Sequence, residues 1–264
     1  DLENIPPKLF PGNELAQKVT RDSRRSRAAC FWATDCIRGC SIKANFQSTT
    51  VLIPPALATG NLDIVTDAMV REVTLNERGL ADGVIYIDKV TKQEKRAKAR
   101  VVVVAASAAE SSRIFLNSKS NLFPDGLANG SGLVGRYLMD TVGAGVGAQI
   151  PMLEDLPPHN EDGASAMHMY IPWWKYQEQA RGELNFSRGY HVELYGGRRM
   201  PSYGSFHGFE RFTQGAYGVE LKEAIRRYYG SFLWFEGRGE MIPNDDCFLE
   251  IDKTKVDDWG IPVP

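Results

Sequence analysis

The sequence predicts an α/β (α+β) protein, and two observations carry that prediction. The first is the run "RVVVVAAS" at residues 100–107, which is apolar on both faces, as a covered central strand is, and leads directly into the helical pattern "SAAESSRIFLNS". The second is the alternation of aromatic and polar residues between 151 and 240, which is typical of an antiparallel sheet. A parallel-type strand–helix unit and a separate antiparallel sheet are therefore expected in one chain.

Composition excludes several classes of protein. The chain has 264 residues, a net charge of -2 and four cysteines. Near-neutral charge gives no basic field for nucleic acid, and four cysteines are too few for a disulfide-stapled scaffold. The longest apolar run, at residues 101–106, is far shorter than the roughly 20 residues that span a bilayer. We therefore expect a protein without nucleic-acid partners and without a transmembrane segment.

The pattern along the chain divides it into three parts. Residues 1–45 are expected to form a connecting arm that carries a cysteine loop. Residues 46–118 contain two alternating runs, "AMVREVTL" and "ADGVIYID", joined by the turn "NERG", which together predict an antiparallel hairpin. The polar stretch after the hairpin is expected to be a connection. Residues 119–264 contain the small-residue strand "TVGAGVGAQIP" and the aromatic runs, with a helix at "GVELKEAIRRYYG".

Three cysteines, Cys30, Cys36 and Cys40, stand at the spacing C-x5-C-x3-C. Structural zinc normally uses four ligands in close pairs, so this spacing disfavours zinc. Iron–sulfur clusters accept other spacings, and a three-iron cluster needs only three thiolates. The alternative is that the three thiols bind nothing and only pack. Cys247 is isolated and belongs to neither interpretation.

The junction between the valine run and the following helix is a candidate ligand site. Ser107 and Glu110 form an S-x-x-E capping box that predicts a helix to about Asn117. Nucleotides bind where a central strand ends and a helix begins, because free N–H groups and the positive helix end meet there. No G-x-G-x-x-G turn follows a strand in this chain, so an ordinary crossover with nothing bound is the alternative.

Other candidate residues give weaker patterns. The four histidines are isolated from one another and from any nucleophile motif, so none is assigned a catalytic role: they are His159, His168, His191 and His207. Four aromatic residues could stack against a sugar or alcohol, or could pack as sheet core: Trp173, Trp174, Tyr195 and Trp234.

Taken together, "ACFWATDCIRGC", "DAMVREV", "ADGVIYID", "RVVVVAASAAESSRIFLNS", "GLVGRYLMD" and "GEMIPNDDCFLEID" resemble the glucose-methanol-choline (GMC) family of flavin oxidoreductases. The resemblance implies that residues 46–118 are the second part of a Rossmann-like FAD-binding domain and that 119–264 bind substrate. It places Val70 against the adenine of FAD. It also brings Ala105, Ala106 and Ser107 close to the cofactor, with Ser107 in the place of the family's usual glycine.

The cysteine loop is similar to that of bacterial FAD-dependent glucose and fructose dehydrogenases within this family. This resemblance implies a 3Fe-4S cluster on Cys30, Cys36 and Cys40, and a cytochrome or quinone as electron acceptor. It also implies a protein of the bacterial cytoplasm or periplasm that associates with the membrane through a partner subunit.

The expected function is therefore oxidation of the CH-OH group of a sugar or other alcohol, with hydride transfer to flavin N5. The resemblance implies that the family's G-x-G-x-x-G turn precedes residue 1 and that its catalytic histidine follows residue 264, so this segment alone is expected to be inactive. Two alternatives stay open. One is a GMC oxidase or dehydrogenase without a cluster, and the other is a non-catalytic binding domain that retains the shape of the FAD domain.

Overall fold

The computed structural model describes residues 12–30, 39–157, 169–172, 175–186, 189–196 and 213–264. The chain forms two compact units, each built from two separate stretches. Unit 1 comprises Asp1–Asp63 and Val142–Glu240, and unit 2 comprises Ile64–Thr141 and Met241–Pro264. The sequence-based domain boundaries at residues 45 and 118 stay predictions beside this division.

The expected connecting arm contains a helix, α1 (Glu14–Arg25). The side chain of Asn13 caps it by accepting a hydrogen bond from the N–H of Ala16 at 3.1 Å. Lys18 and Asp22 lie one turn apart and form an ion pair at 2.5 Å. Caps and pairs at this spacing stabilise a helix locally. The helix therefore forms in a stretch whose sequence shows little apolar periodicity.

Unit 1 continues with one turn of π-helix (Ser48–Leu52) and the short helix α2 (Ile53–Leu57). Pro54 and Pro55 lie in the first turn of α2. At that position the N–H that proline lacks would have no partner inside the helix, so proline is tolerated there. The two prolines are therefore compatible with the start of α2.

The predicted hairpin is present in unit 2. Strand β1 (Ala68–Leu75) pairs antiparallel with β2 (Ala81–Asp88). In the turn between them, the side-chain oxygen of Asn76 accepts a hydrogen bond from the N–H of Leu80 at 3.1 Å. Gly79 supplies the left-handed backbone that the turn requires, with φ at +75°. The turn residues and the alternating strands thus specify the hairpin together.

A third strand, β3 (Glu94–Lys98), pairs antiparallel with β2, so the sheet order is β1-β2-β3. The sequence predicts a polar connection at this stretch, and that prediction is wrong. All five residues of β3 are exposed, so the strand has no apolar face to produce an alternating pattern. Its position is fixed by pairing with β2.

The valine run is not a strand in the described structure. Residues 101–105 have no strand partner there, and Val101 and Val103 are 75% and 82% exposed. The prediction of a covered strand at this place is therefore not met. The helix that follows it, α3 (Ser107–Asn117), lies where it was predicted and packs against β1.

A second sheet has four strands in the order β4-β7-β6-β5. The strands are β4 (Thr141–Gln149), β5 (Met169–Pro172), β6 (Tyr190–Gly196) and β7 (Phe232–Glu240). Neighbours β5, β6 and β7 run antiparallel. The helices of this region are α4 (Tyr176–Ala180) and α5 (Gly218–Tyr228), and a single turn of 3-10 helix covers Pro151–Leu153. The sheet, its small-residue strand and α5 confirm the prediction, while the run "GSFHGFERF" lies outside the described residues.

The last residues of the chain are held by a buried arginine of α3. Arg113 is 6% exposed. Its guanidinium forms an ion pair with Asp257 at 2.7 Å and donates hydrogen bonds to the carbonyl oxygens of Ile261 at 3.0 Å and Pro262 at 2.8 Å. Every one of these acceptors lies between residues 257 and 262, so α3 and the chain end form one packed substructure of unit 2.

No helix in the described parts of the chain is both long and apolar enough to cross a membrane.

Candidate functional site

The corner between the valine run and α3 is an exposed, small-residue surface. Ala105, Ala106 and Ser107 are all exposed. The backbone of Ser107 is left-handed, with φ at +71°. Side chains other than glycine rarely adopt this conformation, because the Cβ atom is crowded by the neighbouring carbonyl oxygen. A left-handed residue at the start of α3 explains why a glycine is expected at this place.

The predicted capping box does not form at this corner. The N-cap residue of the helix is Ala106, and no side-chain capping hydrogen bond is made there. Instead the hydroxyl oxygen of Ser111 accepts a hydrogen bond from the N–H of Ala106 at 3.1 Å, and Glu110 pairs with Arg113 at 3.2 Å. Ser107 has a left-handed backbone where the predicted capping box is replaced by these contacts. The residue placed by sequence at the N-cap is therefore already inside the turn.

Val70 lies on β1 and is half-buried. It is paired with Tyr86 of β2, and a bulge follows it between Val70 and Glu72. The strand is tied to α3 at the buried Ser118, whose hydroxyl oxygen accepts a hydrogen bond from the N–H of Val73 at 2.9 Å. Val70 and the corner thus belong to adjacent elements of unit 2.

The cysteine loop is closed at its base. The N–H of Ala28 donates to the carbonyl oxygen of Ile42 at 3.2 Å. The guanidinium of Arg27 reinforces this closure by donating to the carbonyl oxygens of Lys43 at 3.1 Å and Ala44 at 2.8 Å. Cys30 follows Ala28 by two residues, and Cys40 precedes Ile42 by two residues. The two cysteines therefore occupy equivalent positions on the two arms of one loop.

The Sγ atom of Cys40 accepts a hydrogen bond from the backbone. The N–H of Asn45 donates to its Sγ atom at 3.4 Å. This hydrogen bond, with smaller contributions from the N–H groups of residues 42–44, lowers the pKa of Cys40 below its ordinary value. Cys30 is exposed. Cys36 lies outside the described residues, and within those residues no group of three or more histidine, cysteine, aspartate or glutamate side chains is arranged to bind a metal ion.

One face of the second sheet concentrates polar and aromatic side chains. Residues paired across neighbouring strands point to the same face of a sheet, and side chains alternate along each strand. The pairings Tyr170↔Glu193, Glu193↔Glu236, His191↔Arg238 and Tyr195↔Trp234 place all of these side chains on one side. We call this set the polar face. Trp173, Trp174, His159, His168 and His207 lie outside the described residues.

Hydrogen bonds link the side chains of the polar face in pairs. The phenol of Tyr195 donates to Glu236 at 3.2 Å, and Arg238 forms an ion pair with Glu236 at 2.6 Å. His191 Nε2 lies 3.0 Å from Glu193 Oε1. The polar face therefore presents acceptors and donors in fixed positions, as a site for a polar ligand must.

The phenol of Tyr195 stays protonated in this setting. Burial raises its pKa, and the negative charge and hydrogen bond of Glu236 raise it further. The hydroxyl is thus a donor at neutral pH. The aromatic pattern of the sequence identifies Tyr195 and Trp234 but not Glu236 and Arg238, although the alternation "W-x-E-x-R" in "FLWFEGRGE" indicates that these two share a face with Trp234.

Residues 12–140 match a protein-family model described as GMC oxidoreductase. The chain is 29% identical over 210 residues to 2-methyl-1,2-propanediol dehydrogenase of Mycolicibacterium austroafricanum, covering 80% of this chain and 36% of that protein. It is 25% identical over 242 residues to the fructose dehydrogenase large subunit of Gluconobacter japonicus, covering 90% of this chain and 41% of that protein. It is 33% identical over 121 residues to 6'''-hydroxyparomomycin C oxidase of Streptomyces lividus, covering 46% and 22%.

The family model and these relatives all carry the names of oxidoreductases, dehydrogenases or oxidases. The part of the chain at residues 12–140 matches the GMC oxidoreductase family, which confirms the resemblance inferred from the sequence. The chain spans between 22% and 41% of the length of these curated relatives. The mixed fold of helices and antiparallel sheets agrees with the predicted α/β class.

Proposed function

We propose that the intact protein is an FAD-dependent oxidoreductase that oxidises the CH-OH group of a sugar or other alcohol. The observation that carries this proposal is the exposed, small-residue corner at Ala105, Ala106 and Ser107, which lies inside the part of the chain matched by the family model. The dehydrogenase and oxidase names of the relatives support the same reaction type.

The corner has the properties that an FAD contact needs. Its side chains are no larger than a hydroxymethyl group, so the backbone can approach a ligand closely. It lies at the positive end of α3, a helix of 11 residues, which favours negative charge. We assign Ala105, Ala106 and Ser107 to the cofactor's approach and Val70 to its adenine. These residues would hold FAD, which would supply a hydride acceptor at N5 for the alcohol carbon.

The polar face is assigned to the substrate. Tyr195 offers a protonated donor and Arg238 a positive charge, and both lie within hydrogen-bonding distance of the acceptor Glu236. Alcohol hydroxyls both donate and accept, so this arrangement suits a ligand with more than one hydroxyl.

The cofactor assignment is tested with a large side chain at the corner. We expect Ala106→Leu in the intact protein to lose bound flavin, because the added bulk keeps the cofactor from the backbone, while the circular dichroism spectrum stays as in the parent. The matched control is Ala99→Leu, at another exposed alanine of unit 2. Full flavin absorbance in Ala106→Leu would contradict the assignment, and absence of flavin from the intact parent would favour a non-catalytic binding domain.

A second component of the proposal concerns electron transfer. We propose that Cys30, Cys36 and Cys40 hold a 3Fe-4S cluster that passes electrons to a cytochrome or quinone. The closed loop base and the hydrogen bond to the Sγ atom of Cys40 support it, because a cluster is bound by thiolates that accept N–H bonds.

This component is tested by iron and acid-labile sulfide analysis of protein purified without air. We expect Cys40→Ser to lose iron and sulfide while retaining flavin. The control is Cys247→Ser, at a cysteine remote in sequence from the loop. Equal iron in the parent and in Cys40→Ser, or flavin without iron in the parent, would favour a GMC enzyme without a cluster.

A further inference from the structure

Trp234 lies flat across the glycine strand β4. A Cβ atom built on Gly147 would lie 2.8 Å from Cδ2, 2.8 Å from Cε3 and 2.9 Å from Cε2 of the indole. Cδ2 is bonded to both other atoms and lies at the ring fusion, so three such similar distances mean that Gly147 meets the face of the ring. Glycine at 147 is what allows this close approach, since any larger residue would push the indole outward.

The ring of Tyr195 lies beside that of Trp234 and nearly parallel to it. The two residues are directly paired in the register of β6 and β7. Their rings are within 10° of parallel, with centroids 6.5 Å apart. Trp234 remains 46% exposed, although one face of its indole covers Gly147. The side of the indole away from Gly147 is therefore the accessible one.

Hydrogen-bonding groups stand beside this aromatic surface. Glu236 and Arg238 follow Trp234 at alternate positions of β7, and so lie on the same face. Their side chains are 25% and 39% exposed, so part of each remains accessible to a ligand. Glu193 and His191 continue the polar edge on β6.

We propose that Trp234 and Tyr195 form a stacking platform for the ring of a saccharide, with Glu236 and Arg238 binding its hydroxyls. A pyranose ring has an apolar C–H face and a rim of hydroxyl groups, which matches a flat aromatic surface with a polar edge. A short acyclic diol has hydroxyls but no ring face to stack. The inference rests on the proposed function and narrows its substrate class from alcohols in general to ring-form sugars.

The test compares Trp234→Leu with Phe235→Leu in the intact protein. Phe235 is the next residue of the same strand, 39% exposed and on the opposite face, so it controls for loss of an aromatic ring. The probes are a panel of methyl glycopyranosides, locked in ring form, and 1,2-propanediol. We expect Trp234→Leu to weaken glycoside binding about tenfold, measured by isothermal titration calorimetry, and to leave the diol unaffected. Phe235→Leu should change neither.

A second variant, Gly147→Ala, tests the platform even if Trp234→Leu does not fold. Gly147→Ala keeps the indole but displaces it, so it should weaken glycoside binding in the same direction. No glycoside binding to the parent, or equal effects of Trp234→Leu on glycosides and diol, would overturn the platform. Because binding is measured without turnover, a failure of the proposed oxidation leaves glycoside binding intact, whereas a failure of the platform leaves alcohol oxidation intact.

Discussion

Ser107 shows what a single residue contributes to the cofactor corner. Its left-handed backbone, with φ at +71°, is a conformation that glycine adopts freely and serine does not. The resemblance implies a glycine at this position, and the backbone of Ser107 has the conformation that a glycine would adopt freely. The chain therefore carries local strain at the place assigned to cofactor approach, a type of site where such strain is often found.

Replacing Ser107 with glycine should relieve this strain. We expect Ser107→Gly to raise the free energy of unfolding by about 1 kcal/mol, since the cost of a left-handed non-glycine residue exceeds the entropy that glycine adds to the unfolded chain. Urea denaturation of the intact protein measures the change. Ser107→Ala is the matched control, because alanine retains the Cβ atom and should gain nothing. A loss of stability in Ser107→Gly would contradict a left-handed residue here.

Asp257 makes stability depend on pH. Burial raises its pKa, but hydrogen bonds from the N–H groups of Ile261 and Trp259 and from Arg113 outweigh burial and leave the pKa below its ordinary value. A carboxylate with a lowered pKa stabilises the fold above the unfolded pKa of about 3.9, and this contribution is lost as the pH falls through the folded pKa.

The stability difference between the parent and Asp257→Asn should accordingly be largest near neutral pH and shrink below about pH 4. Urea denaturation across this range measures it. A difference that stays constant down to about pH 3 would mean that the charge of Asp257 is not stabilising.

Among the elements, those with a local signal were predictable and those fixed by partners were not. The β1–β2 hairpin and α3 were predicted because alternation, turn residues and helix formers lie within a few residues of one another. Strand β3 was missed because all of its residues are exposed. The apolar residues 101–105 predict a strand, because apolar residues on both faces favour a covered strand. The prediction is wrong because a strand also requires a partner strand, and these residues have none in the described structure.

The contact between α3 and β1 depends on one buried hydroxyl. Ser118 is 5% exposed, accepts a hydrogen bond from the N–H of Val73 and donates to the carbonyl oxygen of Ile114 at 2.6 Å. We expect Ser118→Ala to destabilise the protein by about 1–3 kcal/mol, because it leaves the buried N–H of Val73 without an acceptor. Thermal denaturation measures this loss. Ser131→Ala, at an exposed serine, should change stability by less than about 0.5 kcal/mol. Equal effects of the two variants would contradict this role.

At the scale of the whole molecule, the corner assigned to the cofactor is a prediction of the sequence, whereas the polar face as a set is not. The corner is a continuous stretch, so the strand–helix pattern and the family resemblance both identify it. The polar face is assembled from strands distant in sequence: Tyr195 and Glu236 are 41 positions apart, and the register of β6 and β7 brings them together. Long-range register depends on the packing of the whole sheet, which local patterns do not specify.

The division into two units predicts where a local defect will spread. Unit 2 joins residues 64–141 to the chain end at 241–264, and Arg113 holds that end. Arg113→Met leaves the nearly buried carboxylate of Asp257 without its partner, and we expect a loss of about 3 kcal/mol.

Hydrogen exchange of the intact protein should then show faster exchange at the amide of Ile261, which donates to Asp257 at 2.9 Å, while the amides that pair β6 with β7 keep their protection. The control is Arg181→Met, whose ion pair with Glu183 is 55% and 52% exposed and should contribute little. If protection fell equally in β6 and β7, the two units would open as one cooperative body. If Ile261 kept its protection, the chain end would be held without Arg113.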